Sequence, residues 1–482
     1  MRAMLVLIAA FCVLTFAAAG HIHFGSTNNP LNGLTITWHS TNTNDSIRWG
    51  YTSGFEQGGF ASANHASYST GYWHDYAFPV LTASSTIRFS IYDGAWSEEK
   101  TFATSTDTST TQYSFIGGGD SRTNMTGWQQ VANRLATEDA AFHLFTGDHV
   151  NDGSLDSNWD AWYDSGKVFL EKNLIYHTGG NHEYGANYLN QFIMPGNEQW
   201  YAFEFGNALF ICLLSESSFA EQYPWLLQQL QNTDKTWKIV FFHKPFFVTA
   251  AHQHDMDAYR GTWWKAFDDY GVDVVLNGHV HYYMRSRPIN LNVSANAPVD
   301  EYGSLPGQGR LEVVSGCYGV GAYNGVPTYF YSTGTIDDWF VEKGAGAGTQ
   351  NYAKFSINGT FLHMDAYDVN GILLDSLSIN KLHGGTDVLR PYSIGEGALQ
   401  ASPNPFNANI TISLDKGMHY GNIPADIFIY NTQGKNIWTA TIALHVLKRG
   451  VSWDAGKNSS GVYLIRLKGQ GFELEKKIVL QK

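Results

Sequence analysis

Six residues of metal-binding type close five short segments that share one design, an apolar run ending in a polar turn. SFIGGGD ends at Asp120, LFTGD ends at Asp148, IYHTGGNHE carries Asn181, IVFFH ends at His243, and VVLNGHVH supplies His279 and His281. Apolar runs of this length read as buried strands, so each polar residue stands where a strand gives way to a loop. Ligands at strand ends converge on one sheet edge, where open α/β architectures place their sites. Oxygen and imidazole donors in this mixture suit first-row transition ions and zinc better than calcium or magnesium, and six are too many for one tetrahedral centre. Two metal ions sharing one carboxylate fit the number. Glycines before Asp120, Asp148, Asn181 and His279 predict a backbone that turns sharply to free the donors. Taken singly, a GD is commonly a turn and a strand-terminal histidine such as His243 commonly packs in a core; the order of all five carries the signal.

The elements that must position these residues occupy the middle of the chain. At roughly 150 residues per domain, 482 residues leave room for about three domains. Hydrophobic residues at 43% against 15% charged exclude a disordered chain. A net charge of -13 argues against a nucleic-acid binder that works by neutralising phosphates. Residues 21–110 alternate with period two, as in LTITWHS, SIRWGY and TIRFSIYDG, which predicts an antiparallel β-sandwich. Across 111–382 strands alternate with amphipathic stretches such as Trp128 to Ala136, which predicts an α/β sandwich of two mixed sheets flanked by helices. A glycine-bearing linker over 383–394 precedes a third, β-rich module at 395–482. Residues 401–482 carry 10 Lys and Arg against 5 Asp and Glu, a basic module on an acidic protein. Residues 1–20 read as a secretory signal peptide, since Arg2 precedes an apolar run too short to span a bilayer and small residues follow it. Later segments hold no 18-residue apolar run, so no transmembrane helix is expected. Cys212 and Cys317 lie in apolar surroundings and read as buried thiols, with a bridge between them left open.

In order, GD, GD, GNHE, an apolar strand into His, and GHVH resemble the calcineurin-like metallophosphoesterases, and within them the purple acid phosphatases. GHVHYYMR is similar to the latter's GHVH-x-Y-x-R signature, with Tyr283 and Arg285 in place. The resemblance covers residues 21 to 381 and extends to the fibronectin type III-like domain that those enzymes carry. It implies that Asp148 bridges two metal ions, that Asn181, His243 and His279 complete the second site, and that Asp120 and His281 belong to the first. It further implies His182 and His252 as proton donors beside the substrate, and Arg260 as a substrate contact. Glu183 reads as a residue that orients a ligand imidazole.

Two departures from the pattern fall on the first site. Asn151 stands where purple acid phosphatases supply a tyrosinate, and Arg122 stands where the wider superfamily supplies a histidine. Asn151, Asp152, His149 or water could fill the missing place. A guanidinium has no lone pair to donate, so Arg122 reads as a phosphate contact or a loop ion pair. Tyr184 and Tyr283 lie within three residues of expected ligands and are candidates for a tyrosine donor. Loss of a phenolate donor favours divalent ions, iron, zinc or manganese, over a trivalent one.

The expected function is secreted phosphomonoester hydrolysis on two metals, with a phosphodiesterase or nucleotide hydrolase as the alternative on the same core. A non-catalytic binding protein with a degenerate first site is the rival of another class. The tail, with SPNPFNANITISL, IYNTQGK, SSGVYLIRL and KKIVL in order, resembles a type IX secretion sorting domain. That resemblance implies a Gram-negative source, the type IX machinery as partner, and a secreted or cell-surface address.

Overall fold

The computed structural model describes residues 19–68, 71–183, 185–248, 252, 255–294, 298–299, 301–304, 307–321, 341–345, 350–381, 399–414, 424–447, 450–469 and 472–482. The expected signal segment up to residue 18 and the expected linker at 383–394 lie outside the described residues. Two compact units divide the chain, Met1–Lys381 and Leu382–Lys482.

The first unit opens with two four-stranded antiparallel sheets. One orders Gly20–Asn29, Asn32–Ser40, Gly71–Ala77 and Ser62–Tyr68; the other orders Gln57–Phe60, Ser46–Gly50, Thr86–Tyr92 and Lys100–Ala103. Alternation puts Phe24, Ile36, Trp38, Ile47, Trp49, Ile87 and Phe89 inside, each almost fully buried. This sandwich docks on the α/β part through polar contacts. His23 Nε2 lies 2.7 Å from the Gln191 carbonyl, Tyr176 donates to the Asn28 carbonyl at 3.0 Å, and Lys100 pairs with Glu171 at 2.6 Å.

The α/β part holds a six-stranded and a seven-stranded sheet. The first runs Ile175–His177, His143–Phe145, Gln112–Gly118, Asn351–Asn358, Phe361–Asp368 and Leu373–Asn380, its first three strands parallel. In the second, Ala208–Cys212, Trp237–Phe241, Val274–Asn277 and Leu311–Ser315 are parallel neighbours. Glycine lets the sheets approach, because a side chain at Gly117 would run into Leu276 of the facing sheet. Helix Met125–Leu135 is capped by Asn124, whose carboxamide accepts the Gly127 N–H, and buries Trp128, Val131, Ala132 and Leu135 on one face. Helix Asp156–Leu170 buries Trp159, Trp162, Phe169 and Leu170, and Gly166 gives Trp128 room against it. Cys212 and Cys317 are separate buried free thiols, each pushed up to about 12 by burial.

The second unit has two sheets, Leu399–Ser402, Asn409–Leu414 and Val451–Asp454 in one, and Asn436–Ala443, Pro424–Asn431, Gly461–Gly469 and Phe472–Leu480 in the other. Neighbouring strands within each of these sheets pair antiparallel, and one parallel bridge joins Phe406 to Leu480. Ile412, Ile427, Ile429, Ile465 and Ile478 fill the core of this unit.

Candidate metal centre

Every expected ligand follows a parallel strand. Asp120, Asp148 and Asn181 come after Gln112–Gly118, His143–Phe145 and Ile175–His177, which are neighbours in one sheet. His243 and His279 come after Trp237–Phe241 and Val274–Asn277, neighbours in the other. Positive φ falls on the ligands themselves: 63° at Asp120, 55° at Asp148 and 68° at His279. For a side chain this left-handed backbone is strained, and such strain gathers at functional sites. The adjoining glycines serve mainly to make room, since side chains at Gly180 and Gly278 would collide with the carboxylates of Asp148 and Asp120.

Four donors meet around His243 Nε2, which lies 3.2 Å from Asp148 Oδ1, 3.1 Å from Asn181 Oδ1 and 3.1 Å from His279 Nδ1. In a tetrahedral shell with bonds of about 2.0–2.1 Å, donors sit roughly 3.3–3.4 Å apart, and in an octahedral one about 3.0 Å. These three distances to His243 Nε2 have the size of donor–donor spacings in a metal's ligand shell, and Asp120, Asp148 and His243 each offer an atom within 4.8 Å of the others. Tautomers are set for the purpose as well. His243 Nδ1 donates to the Thr146 carbonyl at 2.8 Å, so Nε2 is the nitrogen that would bind a metal, in exchange for its proton. His279 Nε2 donates to Asp255 Oδ2 at 2.9 Å, leaving Nδ1. Burial works against a charged His243, yet the carboxylates of Asp148 and Asp120 push its pKa up to about 10, a field that attracts any cation. Asp148 is likewise held below the carboxylate range despite its burial, by His243, His182 and Arg122. Burial and the charge of Asp148 raise Asp120 well above its ordinary value. These four donors fit a metal ion.

The first site is built differently. Asp120 accepts the His279 N–H with both oxygens, and His281 Nε2 lies 3.7 Å from Asp120 Oδ1. Between His281 and Asp148 sits the guanidinium of Arg122. Its Nε donates to Asp148 Oδ2 at 2.9 Å and its Nη2 to His281 Nε2 at 3.3 Å. Burial and this cation push His281 down to about 4, which keeps it neutral and able to accept. The side chains of the expected replacements His149, Asp152 and Asn151 each have other partners. His149 is buried with Nδ1 on Glu183 at 2.9 Å and Nε2 on His177 at 2.8 Å; Asp152 accepts from Ser154. Asn151 accepts from Thr123 Oγ1 at 3.4 Å, and Thr123 Oγ1 accepts from Arg122 Nη1 at 3.4 Å. Tyr283 donates to Asp375 at 2.8 Å, and Arg285 pairs with the same carboxylate, so both signature residues tie the two sheets together. Tyr184 lies outside the described residues.

His182 stands at the rim, 28% exposed, with Nδ1 donating to the Asn151 carbonyl at 2.8 Å and Nε2 at 3.9 Å from Asp148 Oδ2. The His252 ring lies 4.1 Å from that of His279, and its Nδ1 is 3.1 Å from Asp255 Oδ2. Arg260 is placed elsewhere. Its Nη2 donates to the Phe246 carbonyl at 2.7 Å and pairs with Asp257 at 3.0 Å, and its guanidinium covers the Phe247 ring. Glu183 meets no ligand imidazole: Oε1 accepts from His149 and from the backbone N–H groups of Asp148 and Gly180, each at 2.9 Å. Asp255 was missed by sequence reasoning because a carboxylate in the polar run HQHD has no distinguishing spacing.

Residues 114–283 match the calcineurin-like phosphoesterase family. This chain carries a calcineurin-like phosphoesterase domain. Residues 401–481 match the secretion system C-terminal sorting domain, so the second unit is a sorting domain. Over 168 residues the chain is 30% identical to an Fe(3+)-Zn(2+) purple acid phosphatase of Arabidopsis thaliana, covering 29% of this chain and 35% of that protein. Over 209 residues it is 30% identical to a purple acid phosphatase of Ipomoea batatas, covering 37% and 42%. The chain thus spans well under half the length of these curated relatives. Among solved structures, a purple acid phosphatase from yellow lupin seeds superposes with a TM-score of 0.61 at 18% identity over 75% of this chain and 74% of that one. PhoD superposes at 0.54 and 12% identity over 77% and 94%. The phosphoesterase fold is shared with both.

Proposed function

We propose that this protein is an exported metal-dependent phosphoester hydrolase with phosphomonoesters as substrates. The convergence of Asp148, Asn181, His243 and His279 at ligand-shell spacing carries the reading. A metal held there supplies Lewis-acid polarisation of a phosphoryl oxygen. The chain's own residues do the rest. Arg122, 16% exposed, presents positive charge beside that position for a second phosphoryl oxygen. His182 is held by Nδ1 to the Asn151 carbonyl, so its Nε2 is the atom that delivers a proton to the departing alkoxide. Asp255 braces His252 for the same task from the opposite ring edge of His279. The names of the relatives, purple acid phosphatases and a phosphoenolpyruvate phosphatase of Allium cepa, support monoesters over diesters. The sorting domain supports export through a type IX system of a Gram-negative bacterium, ending in a secreted or surface-held enzyme.

The test is hydrolysis of a panel of phosphomonoesters, phosphodiesters and nucleotides by protein stripped of metal and reloaded with zinc, manganese or ferrous iron. Monoester turnover should require metal and fall by at least about a thousandfold in Asp148→Asn, given the 10³-fold scale of lost electrostatic contacts. Turnover in the stripped protein, or near wild-type turnover in Asp148→Asn, would refute the assignment; preference for diesters would correct the substrate.

A further inference from the structure

The two departures noted in the sequence are one structural unit. Arg122, Thr123 and Asn151 form a hydrogen-bonded chain, with 3.4 Å at each of its two links. The guanidinium end of that chain contacts two donors of the first site, Asp148 Oδ2 and His281 Nε2. We infer that the centre takes a single metal ion per chain, at Asp148, Asn181, His243 and His279, and that the Arg122 guanidinium is the built-in cation of the first position. This rests on the hydrolase reading above.

The reasoning is steric and electrostatic. A first metal bonded to His281 Nε2 at about 2.0–2.1 Å would lie inside the van der Waals envelope of a guanidinium nitrogen that is itself 3.3 Å from that atom. Arginine is not deprotonated in proteins, so the two cations would face each other at contact. The carboxylates of Asp120 and Asp148 with Arg122 sum to one negative charge; a single divalent ion brings the site to +1, which one bound hydroxide or phosphoryl oxygen balances, whereas a second ion would bring it to +3. A neutral carboxamide at Asn151, held by Thr123, returns none of the charge that a phenolate would bring. The Nη2 group of Arg122 already occupies the hydrogen-bonding direction of His281 Nε2, at 3.3 Å. The guanidinium brings positive charge to the phosphoryl group but acidifies no water, so all activation of the attacking water falls to the one metal.

The experiment counts metal on the full-length protein. Chelator-stripped protein is titrated with zinc by calorimetry, and bound metal is measured after desalting. Manganese-loaded protein is read by electron paramagnetic resonance. Wild type should bind one equivalent and show the spectrum of isolated manganese ions. Arg122→His, which restores an imidazole at this position, should bind two equivalents and show an exchange-coupled pair. Asn181→Ala should lose the single ion of the wild type. Two tight equivalents or a coupled pair in the wild type overturn the inference and leave the hydrolase reading intact. A wild type that binds no metal and hydrolyses nothing overturns the hydrolase reading instead. The wild-type count decides the matter even if Arg122→His does not fold.

Discussion

Glu183 allows a prediction whose size can be worked from the structure. Its Oε1 accepts three hydrogen bonds of 2.9 Å, from the N–H groups of Asp148 and Gly180 and from His149 Nδ1. Glu183 is only 2% exposed and His149 fully buried, so water cannot replace these bonds without entering the core. Glu183→Ala strands three buried donors, each at about 1–3 kcal/mol. Water drawn into the space left by the carboxylate recovers one of them, which leaves two and a destabilisation of about 2–6 kcal/mol. Glu183→Gln keeps an accepting oxygen but turns an amide N–H₂ into the place of Oε2, which has no hydrogen-bond partner among the described residues; its cost is about 1–3 kcal/mol. Because one oxygen spans the amides preceding two ligand side chains, Glu183→Ala should also weaken metal binding by about 10–100-fold, the scale for residues that support ligands. Urea unfolding of the first unit and zinc calorimetry measure both. A loss under about 1 kcal/mol in Glu183→Ala, or an equal loss in the two variants, would refute the reasoning.

Removal of residues 395–482 should leave metal content and hydrolysis unchanged and abolish export, because every ligand lies in the first unit; folded, metal-loaded but inactive truncated protein would contradict this. Iron-loaded protein should lack a strong band in the green to yellow, since Asn151 replaces the phenolate and the Tyr283 hydroxyl is held by Asp375; a band lost on one Tyr→Phe change would show a donor supplied elsewhere. Burial raises Asp75 from 3.8 to about 6, against a partly offsetting bond from Thr37. The folded state therefore keeps this proton to higher pH than the unfolded chain, and its stability contribution, present below about pH 4, is lost as pH rises through about 6. Asp75→Asn should gain about 2–3 kcal/mol on wild type between pH 4 and 7, read as a difference in Tm; a gain that shrinks with rising pH would reverse the sign.

The sequence alone settled which residues stand at strand ends, because an apolar run closing on a polar residue is a local pattern that survives folding unchanged. Asp120, Asp148, Asn181, His243, His279 and His281 were all legible in this way, as were the period-two strands before them and the basic β-rich tail. It also marked Arg122 and Asn151 as departures. It could not show what replaced the missing donor, since the partners are far apart along the chain: Arg122 meets Asp148 across 26 residues and His281 across 159. The same holds for Asp255 reaching His279 and His252, for Glu183 binding backbone amides in place of a ligand ring, and for Arg260 turning to Phe246 and Asp257. Side-chain partnership at loop tips depends on the direction of each Cα–Cβ bond and on the depth of burial, and neither is written in spacing. Only the packing of the two sheets brings a guanidinium to the first cation position.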